Sequence, residues 1–434
     1  MPFKSRLITS LKWAATVAGT TLFYGVAMAS PADSSNISRG AYLARAGDCI
    51  ACHTAGPKEA PFAGGLPINS PFGIIYSTNI TPNPIHGIGK YTLDDFMRAV
   101  RNGIAKDGRR LYPAMPYPSF TAITDEDMRA LYDYFMHEVA PVNHNPPETR
   151  LPFPFNIRFS LFFWDLAFVK HERFKPLDDR DAEWNRGAYL VQSLGHCGAC
   201  HTPRGLAFQE TAYSEASPKY LSGALVDNWF AANLRGDPAS GLERWQEADI
   251  ARFLKTGHGA GIAAFGSMTD VIENSMQYLR DDDLQAIAHY LKWLSAHGEK
   301  ASYQPDKPDV AVKQSALVSG AVERPGAGLY ESHCAKCHRI TGDGEPDKFP
   351  KLAGNSIVLA ENATSLIRLL LEGGKTAEKG AGLKPHKMPS FAKKFTDRQI
   401  AEVLSFIRNT WGNTASPVTE RQVASLRSAL RKSP

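Results

Sequence analysis

The sequence predicts an all-α protein in which three similar helical units follow one another along the chain. The pentapeptide Cys-x-x-Cys-His occurs three times, starting at Cys49, Cys197 and Cys334, and it uses all six cysteines. The same order of segments recurs around each copy, and strand-like alternation of apolar and polar residues is rare. A motif repeated at such spacing indicates repeated structural units.

The composition excludes several other classes of protein. Of 434 residues, 43% are apolar and 21% are charged, so the chain can bury a core and is not a disordered tail. Six cysteines are too few for a small disulfide-stapled module, and 49 basic against 44 acidic residues do not make a strongly basic nucleic-acid binder. At roughly 100–200 residues per domain, the length predicts two to four domains.

The first 29 residues are expected to be an export signal. Basic residues up to Lys12 precede a mostly apolar stretch at 13–26, and a small-x-small cleavage site ends at Ala29. An uncleaved N-terminal anchor is the alternative. Because no later apolar run reaches the length of a membrane span, we expect the mature protein to be soluble or peripheral.

Each predicted unit begins with a short helical segment that contains a glycine and an aromatic residue, and the cysteine motif follows it. An amphipathic helix that ends at glycine comes next, and then a loop that contains a methionine. A final helix closes the unit, beginning at Thr124, Arg280 or Thr396 with acidic or capping residues. We place the three units at 30–145, 181–300 and 323–413, and call them units 1, 2 and 3.

Three further segments lie outside the units. Segment 146–180 is dense in proline and then in phenylalanine, which predicts an extended linker whose aromatic side chains pack as a strap across neighbouring units; a partner surface is the alternative. Segment 301–322 is the predicted second linker. Segment 414–434 is a basic, weakly amphipathic tail, expected to be a frayed, solvent-facing helix, with contact to a membrane surface as the alternative.

The repeated motif is the attachment signature of c-type haem. Two thiols one helical turn apart can add to the two vinyl groups of a porphyrin, and the adjoining histidine can then reach the iron. Zinc binding, a redox dithiol and structural disulfides are the alternatives, but three copies that consume every cysteine favour haem. The predicted covalent attachment sites and histidine ligands are Cys49, Cys52 and His53; Cys197, Cys200 and His201; and Cys334, Cys337 and His338.

A methionine is the predicted sixth ligand of each iron. A thioether is a soft, neutral ligand that raises the reduction potential and leaves no site for oxygen or peroxide. Met115 and Met388 each precede a proline in the loop before the final helix of their units. In unit 2 we prefer Met268, which follows a glycine in the corresponding loop, over Met276, which could be a core residue, and over His258.

Together with the motifs, four stretches carry a family resemblance. They are Tyr-Ser-Thr-Asn-Ile-Thr-Pro at 76–82, the segment with Pro-Ala-Met-Pro at 111–117, Leu-Pro-Phe-Pro-Phe at 151–155, and Trp-Asn-Arg-Gly at 184–187. On these residues the chain resembles the three-haem cytochrome c subunits of membrane-associated bacterial dehydrogenases, such as the alcohol and gluconate 2-dehydrogenases. The resemblance implies class I cytochrome c-like domains in series, joined by proline-rich linkers.

The resemblance also implies a function. Such subunits receive electrons from a separate catalytic subunit that carries flavin or a quinone cofactor, and they reduce ubiquinone. We therefore expect three haem c groups, a dehydrogenase catalytic subunit and a small third subunit as partners, and a periplasmic location at the outer face of the inner membrane. A multi-haem peroxidase and a free-standing electron carrier to a terminal oxidase are the alternatives.

Overall fold

A computed structural model describes residues 37–305, 325–378 and 385–432. The expected export signal and most of the predicted linker 301–322 lie outside these residues. Helices carry most of the regular structure in the described part. They are accompanied there by five two-stranded antiparallel sheets, which the sequence analysis did not anticipate.

The described part of unit 1, from residue 37 onward, contains five helices and one hairpin. The helices are α1 (Arg39–Ala46), α2 (Cys49–Cys52), α3 (Leu93–Asn102), α4 (Tyr117–Phe120) and α5 (Asp125–His137). The hairpin pairs β1 (Pro67–Ser70) with β2 (Gly73–Tyr76). A further helix, α6 (Ser160–Phe168), lies between units 1 and 2.

Unit 2 repeats this order with a second hairpin. Its helices are α7 (Ala182–Gln192), α8 (Gly198–His201), α9 (Glu247–Thr256), α10 (Ser267–Asn274) and α11 (Asp281–Trp293), with a 3₁₀ turn at Met276–Tyr278. Its hairpins pair β3 (Ala224–Val226) with β4 (Trp229–Ala231), and β5 (His258–Gly259) with β6 (Ile262–Ala263).

Unit 3 is shorter and is followed by a C-terminal helix. Its helices are α12 (Ala327–His333), α13 (Ala335–His338), α14 (Ser356–Leu359), α15 (Thr364–Glu372) and α16 (Asp397–Arg408), and α17 (Glu420–Lys432) follows them. Strand β7 (Ser302–Tyr303) pairs with β10 (Asn413–Thr414), and β8 (Gly374–Lys375) pairs with β9 (Lys387–Met388).

In every unit the first helix packs against the last: α1 on α5, α7 on α11, and α12 on α16. A glycine permits each contact, because the carbonyl of the last helix lies where a side chain would begin. A Cβ atom would lie 2.1 Å from the Ala130 oxygen at Gly40, 1.9 Å from the Ala286 oxygen at Gly187, and 2.3 Å from the Glu402 oxygen at Gly326. The opening glycine found in the sequence is therefore a packing requirement.

Units 1 and 2 share one continuous hydrophobic core, to which unit 3 adds Ala377, whereas most of unit 3 packs in a core of its own. A small third cluster contains Ala239 of unit 2 and Leu359 of unit 3. Two tyrosines cross between units 1 and 2 at equivalent positions. Tyr42 of α1 donates to Asp283 of α11 over 2.5 Å, and Tyr189 of α7 donates to Asp127 of α5 over 2.6 Å. Each carboxylate also binds the arginine that precedes the glycine of its own unit.

The proline density predicts an extended path for segment 146–180, but the structure shows that part of the segment is helical. Residues 160–168 form helix α6, which is anchored by Asp165, a buried side chain. Asp165 makes an ion pair with Arg110 and accepts a hydrogen bond from Tyr117 over 2.7 Å. Several apolar side chains of the segment remain exposed, including Phe159 at 68% and Leu166 at 76%.

The C-terminal segment differs from the prediction of a frayed helix. Helix α17 packs against α15 and α16, and Val423 and Leu426 are buried in the core of unit 3. Arg427 pairs with Asp397 over 2.6 Å at the start of α16. No helix among the described residues combines the length and the apolar character that crossing a bilayer would require.

Candidate haem-binding sites

Each Cys-x-x-Cys-His motif forms one tight helical turn directly after the first helix of its unit. The amide of the histidine donates to the carbonyl of the first cysteine at 3.0 Å in unit 1 and 2.9 Å in units 2 and 3. This bond closes a single turn in which the two cysteines and the histidine are the first, fourth and fifth residues. The spacing predicted for two thioether bonds and one iron ligand therefore exists as local structure in all three copies.

The three histidine rings are held in the same way. Nδ1 of His53 lies 2.6 Å from the Thr78 carbonyl, Nδ1 of His201 lies 2.7 Å from the Ala232 carbonyl, and Nδ1 of His338 lies 2.8 Å from the Pro350 carbonyl. A carbonyl only accepts, so Nδ1 must carry the proton. Nε2 is then the unprotonated nitrogen, which is the form that binds a metal.

The backbone of each histidine is fixed by a glycine. The amides of Gly64, Gly223 and Gly344 donate to the carbonyls of the three motif histidines over 2.8, 2.8 and 3.1 Å. These glycines have φ values of 75°, 93° and 65°, in the left-handed region where a side chain is strained. Glycine at this point of each unit is thus required by the turn that returns the chain to the motif.

The cysteines have neither the bonding of structural disulfides nor the lowered pKa of a redox dithiol. All six lie in the described part of the chain, and none forms a disulfide. Desolvation by the surrounding protein raises the pKa of Cys52 and of Cys334 to about 11, so these thiols are neutral. A redox dithiol would need a lowered pKa. Within the described residues, no cluster of three or more His, Cys, Asp or Glu side chains is arranged to hold a metal ion.

Two acidic side chains adjoin the motifs. Asp48 directly precedes the first cysteine of unit 1, and burial raises its pKa to about 8. In unit 2, burial raises the pKa of Glu210 to about 7, partly offset by Arg204. Neither was recognised from the sequence; the residues that stand where Asp48 does in the other two units are His196 and His333.

The predicted methionines lie in three different local structures. Met115 is in the loop before α4, Met268 is in the first turn of α10, and Met388 ends strand β9, so only Met115 occupies the expected loop. All three are half-buried. Met276, by contrast, is 4% exposed and belongs to the shared core of units 1 and 2, and His258 is buried in β5.

Sequence reasoning found the motif residues but missed the three carbonyls that orient the histidines. Every residue has a carbonyl, so no residue type marks these positions. The one available signal is indirect, because Thr78 lies within the stretch 76–82 that carries the family resemblance. The carbonyls of Ala232 and Pro350 become recognisable only once the three units are superposed by their hydrogen bonds.

A family model named "Cytochrome c" matches the chain three times, at residues 37–137, 185–295 and 324–411. One match falls on each unit and includes its Cys-x-x-Cys-His motif. Three cytochrome c domains indicate three haem c groups. The prediction of three such groups is confirmed at this level.

The chain is also similar to whole proteins. It is 47% identical over 428 residues to the cytochrome c subunit of the quinone alcohol dehydrogenase of Gluconacetobacter polyoxogenes, covering 97% of this chain and 91% of that one. Identity to the gluconate 2-dehydrogenase cytochrome c subunit of Pantoea cypripedii is 46% over 419 residues, covering 95% and 94%. Identity to the fructose dehydrogenase cytochrome subunit of Gluconobacter japonicus is 40% over 450 residues, covering 100% and 91%.

These relatives are cytochrome subunits of dehydrogenases and not their catalytic subunits, and the predicted assignment of this chain as a non-catalytic subunit agrees with them. The three-unit architecture, the three attachment motifs and the similarity over nearly the full length point to one conclusion. The chain belongs to the cytochrome c family, among the cytochrome c subunits of bacterial alcohol, gluconate 2- and fructose dehydrogenases.

Proposed function

We propose that the chain relays electrons from a periplasmic dehydrogenase catalytic subunit to ubiquinone through three covalently held haems. The observation that carries this proposal is the threefold repetition of one geometry: a cysteine pair, a histidine in the same turn, and a carbonyl that leaves Nε2 available. Bound haem supplies reversible one-electron chemistry. The protein supplies attachment, ligands and orientation.

We assign the iron ligands as the pairs His53 and Met115, His201 and Met268, and His338 and Met388. Each methionine is half-buried and packs against the hydrophobic core of its unit, which leaves part of the side chain free to face a cofactor. The low exposure of Met276 favours Met268 in unit 2. Occupation of both axial positions by protein side chains suits electron transfer and disfavours peroxide turnover, which needs an open position.

The proposed donor is a catalytic subunit that carries flavin or a quinone cofactor and oxidises an alcohol, polyol or sugar acid. The names of the relatives support a partner of this kind, with a small third subunit as a further candidate. We infer a periplasmic location, because covalent haem attachment and the expected export signal both require export. The substrate follows from the catalytic subunit, and its copurification identifies it.

The proposed membrane contact is segment 146–180. Helix α6 exposes Phe163 and Leu166, and Phe153 and Phe159 before it are also exposed. Exposed aromatic side chains beside basic residues such as Lys170 favour the interface of an anionic bilayer, where ubiquinone is reached. Co-sedimentation with phosphatidylglycerol vesicles tests this: a Phe159→Ser, Leu166→Ser variant should bind less, whereas Ile85→Ser, an exposed control in unit 1, should bind normally.

The decisive test of the relay is haem stoichiometry. The purified chain should contain three covalent haems, and fewer than three would overturn the proposal. Replacing Met115, Met268 or Met388 singly by alanine should lower one reduction potential and let one ferrous iron bind carbon monoxide. Met276→Leu is the matched control and should leave all three potentials unchanged, because it conserves volume in the core.

A further inference from the structure

The hairpin of β3 and β4 in unit 2 touches both the histidine and the methionine segment of its site. Ala232, directly after β4, provides the carbonyl that accepts from His201. At the start of β4, the Trp229 ring lies against the backbone of Gly266, where an added Cβ would be 2.8 Å from the indole. Gly266 has a φ of 57° and stands two residues before Met268. One strand therefore supports both sides of the site.

Unit 3 holds this strand from outside. The Ser365 hydroxyl of α15 accepts from the Phe230 amide over 2.8 Å and donates to the Phe230 carbonyl over 3.0 Å. One turn later, the Arg368 guanidinium lies 4.4 Å from the centre of the Trp229 ring and donates to the Asp227 carbonyl over 2.6 Å. The tryptophan is thus enclosed between Gly266 of its own unit and a cation of the next unit.

Unit 1 offers a natural comparison. There Thr149, from the segment after the unit, takes the place of Ser365: its hydroxyl accepts from the Tyr76 amide over 2.9 Å and contacts the Tyr76 carbonyl at 3.5 Å. Tyr76 stands two residues before Thr78, just as Phe230 stands two residues before Ala232. The residue equivalent to Trp229 is Ile75, which has no aromatic ring to offer a cation.

We propose that Trp229 is a positioning residue for Met268, and that unit 3, through Arg368 and Ser365, is part of the support that keeps this methionine at the iron of unit 2. The inference rests on the proposed assignment of Met268 as a ligand. The Trp229 ring packs against Gly266 and so fixes the position and direction of the backbone two residues before Met268. Removing the Trp229 ring takes away the side chain that packs against the Met268 segment. Removing the Arg368 guanidinium takes away the contact on the other side of that ring.

The test uses the full chain with its three haems. Trp229→Ala should remove the contribution of one haem of three to the far-red charge-transfer band of methionine-ligated ferric iron, and should let one ferrous haem bind carbon monoxide. Trp229→Phe should retain most of the band, because a ring still covers Gly266. Arg368→Gln should give a smaller change of the same sign, and Ile75→Ala should leave the unit 2 signal unchanged.

Unchanged band and carbon monoxide binding in Trp229→Ala would overturn the inference, as would equal losses in Trp229→Phe and Trp229→Ala. The haem content of each variant is measured first, so that loss of cofactor is not mistaken for loss of a ligand. Met268→Ala distinguishes the assignment of Met268 as a ligand from the positioning role of Trp229. If that variant leaves the band intact, the ligand assignment is wrong; if it removes one contribution and Trp229→Ala does not, only the positioning role is wrong.

Discussion

Unit 2 is joined to unit 1 and to unit 3 in two different ways. Toward unit 1 it shares a hydrophobic core, and the crossed bonds from Tyr42 and Tyr189 end on buried carboxylates. Toward unit 3 the buried apolar contacts are few, such as the small cluster that holds Ala239 and Leu359. Polar contacts accompany them, such as the donation of Arg244 to the Gly354 carbonyl over 2.7 Å. The ion pair between Arg252 and Asp347, at 2.6 Å, joins two partly exposed side chains.

The difference indicates that units 1 and 2 act as one cooperative body, to which unit 3 is attached by separable contacts. A shared core cannot be divided without exposing apolar surface on both parts, whereas polar contacts can exchange their partners for water. We expect substitutions at the two contacts to differ in size accordingly. Substitutions at the contact between units 1 and 2 should lower the free energy of unfolding more than substitutions at the contact between units 2 and 3.

The largest effect is expected for Asp283→Ala. The carboxylate is 3% exposed and binds Arg186 and Tyr42, so its loss leaves the buried Tyr42 hydroxyl and the half-buried Arg186 guanidinium without this acceptor. We expect a loss of about 3–5 kcal/mol in the free energy of unfolding, measured by denaturant titration. Asp281→Ala, in the same helical turn but 91% exposed, is the control and should cost less than about 1 kcal/mol. Equal effects would contradict a buried lock between units 1 and 2.

The same carboxylate should make the contact between units 1 and 2 sensitive to acid. Burial raises the pKa of Asp283, but hydrogen bonds from Arg186 and Tyr42 outweigh burial and hold the pKa below its usual value. A lowered folded-state pKa stabilises the protein fully above the unfolded value of about 3.9, and this stabilisation is lost as the pH falls through the folded pKa. The free energy of unfolding, measured at intervals of about one pH unit from pH 6 to pH 2, should fall as the pH is lowered. The fall should be smaller in Asp283→Asn than in the native chain.

An intermediate effect is expected for Tyr42→Phe. The change removes one buried hydrogen bond to a charged group but keeps the ring, so we expect a loss of about 1–3 kcal/mol in the free energy of unfolding. Tyr189→Phe should cost a similar amount, since its bond to Asp127 is equivalent. A double-mutant cycle of Tyr42→Phe with Asp283→Asn should give a clear coupling energy; additivity would show that the two side chains do not interact.

The smallest effect is expected at the contact with unit 3. Asp347→Ala removes a pair whose side chains are 39% and 46% exposed, and it should cost less than about 1 kcal/mol. Raising the salt concentration should reduce the difference between this variant and the native chain. A loss as large as that of Asp283→Ala would show that units 2 and 3 are also rigidly joined.

Much of the repeated architecture could be predicted from the sequence, because local signals specify it. The cysteine motifs, the opening glycines and the helix starts at Thr124 and Thr396 are all short patterns, and the structure shows the capping hydrogen bonds at both threonines. The haem count follows from the motifs alone. These features depend on residues that are close together in the chain, so short sequence patterns indicate them.

The remaining features depend on residues far apart in the chain. Tyr42 and Asp283 are 241 positions apart, and neither stands out from other buried tyrosines and helix-start aspartates. The prolines before helix α6 predict an extended segment, so the sequence does not indicate the helix. The helix is supported instead by the buried contacts of Asp165 with Arg110 and Tyr117. Tertiary contacts of this kind override local propensity.

The carbonyl partners of the three histidines have one more consequence. A peptide carbonyl accepts a proton less strongly than a carboxylate does, so none of the three imidazoles gains the added basicity that a carboxylate partner would give it. The same acceptor type serves all three rings. The histidine ligands therefore do not distinguish the three sites. We expect differences in reduction potential to come from the methionine ligands and from nearby ionisable groups such as Asp48 and Glu210, whose raised pKa values lie close to neutral pH.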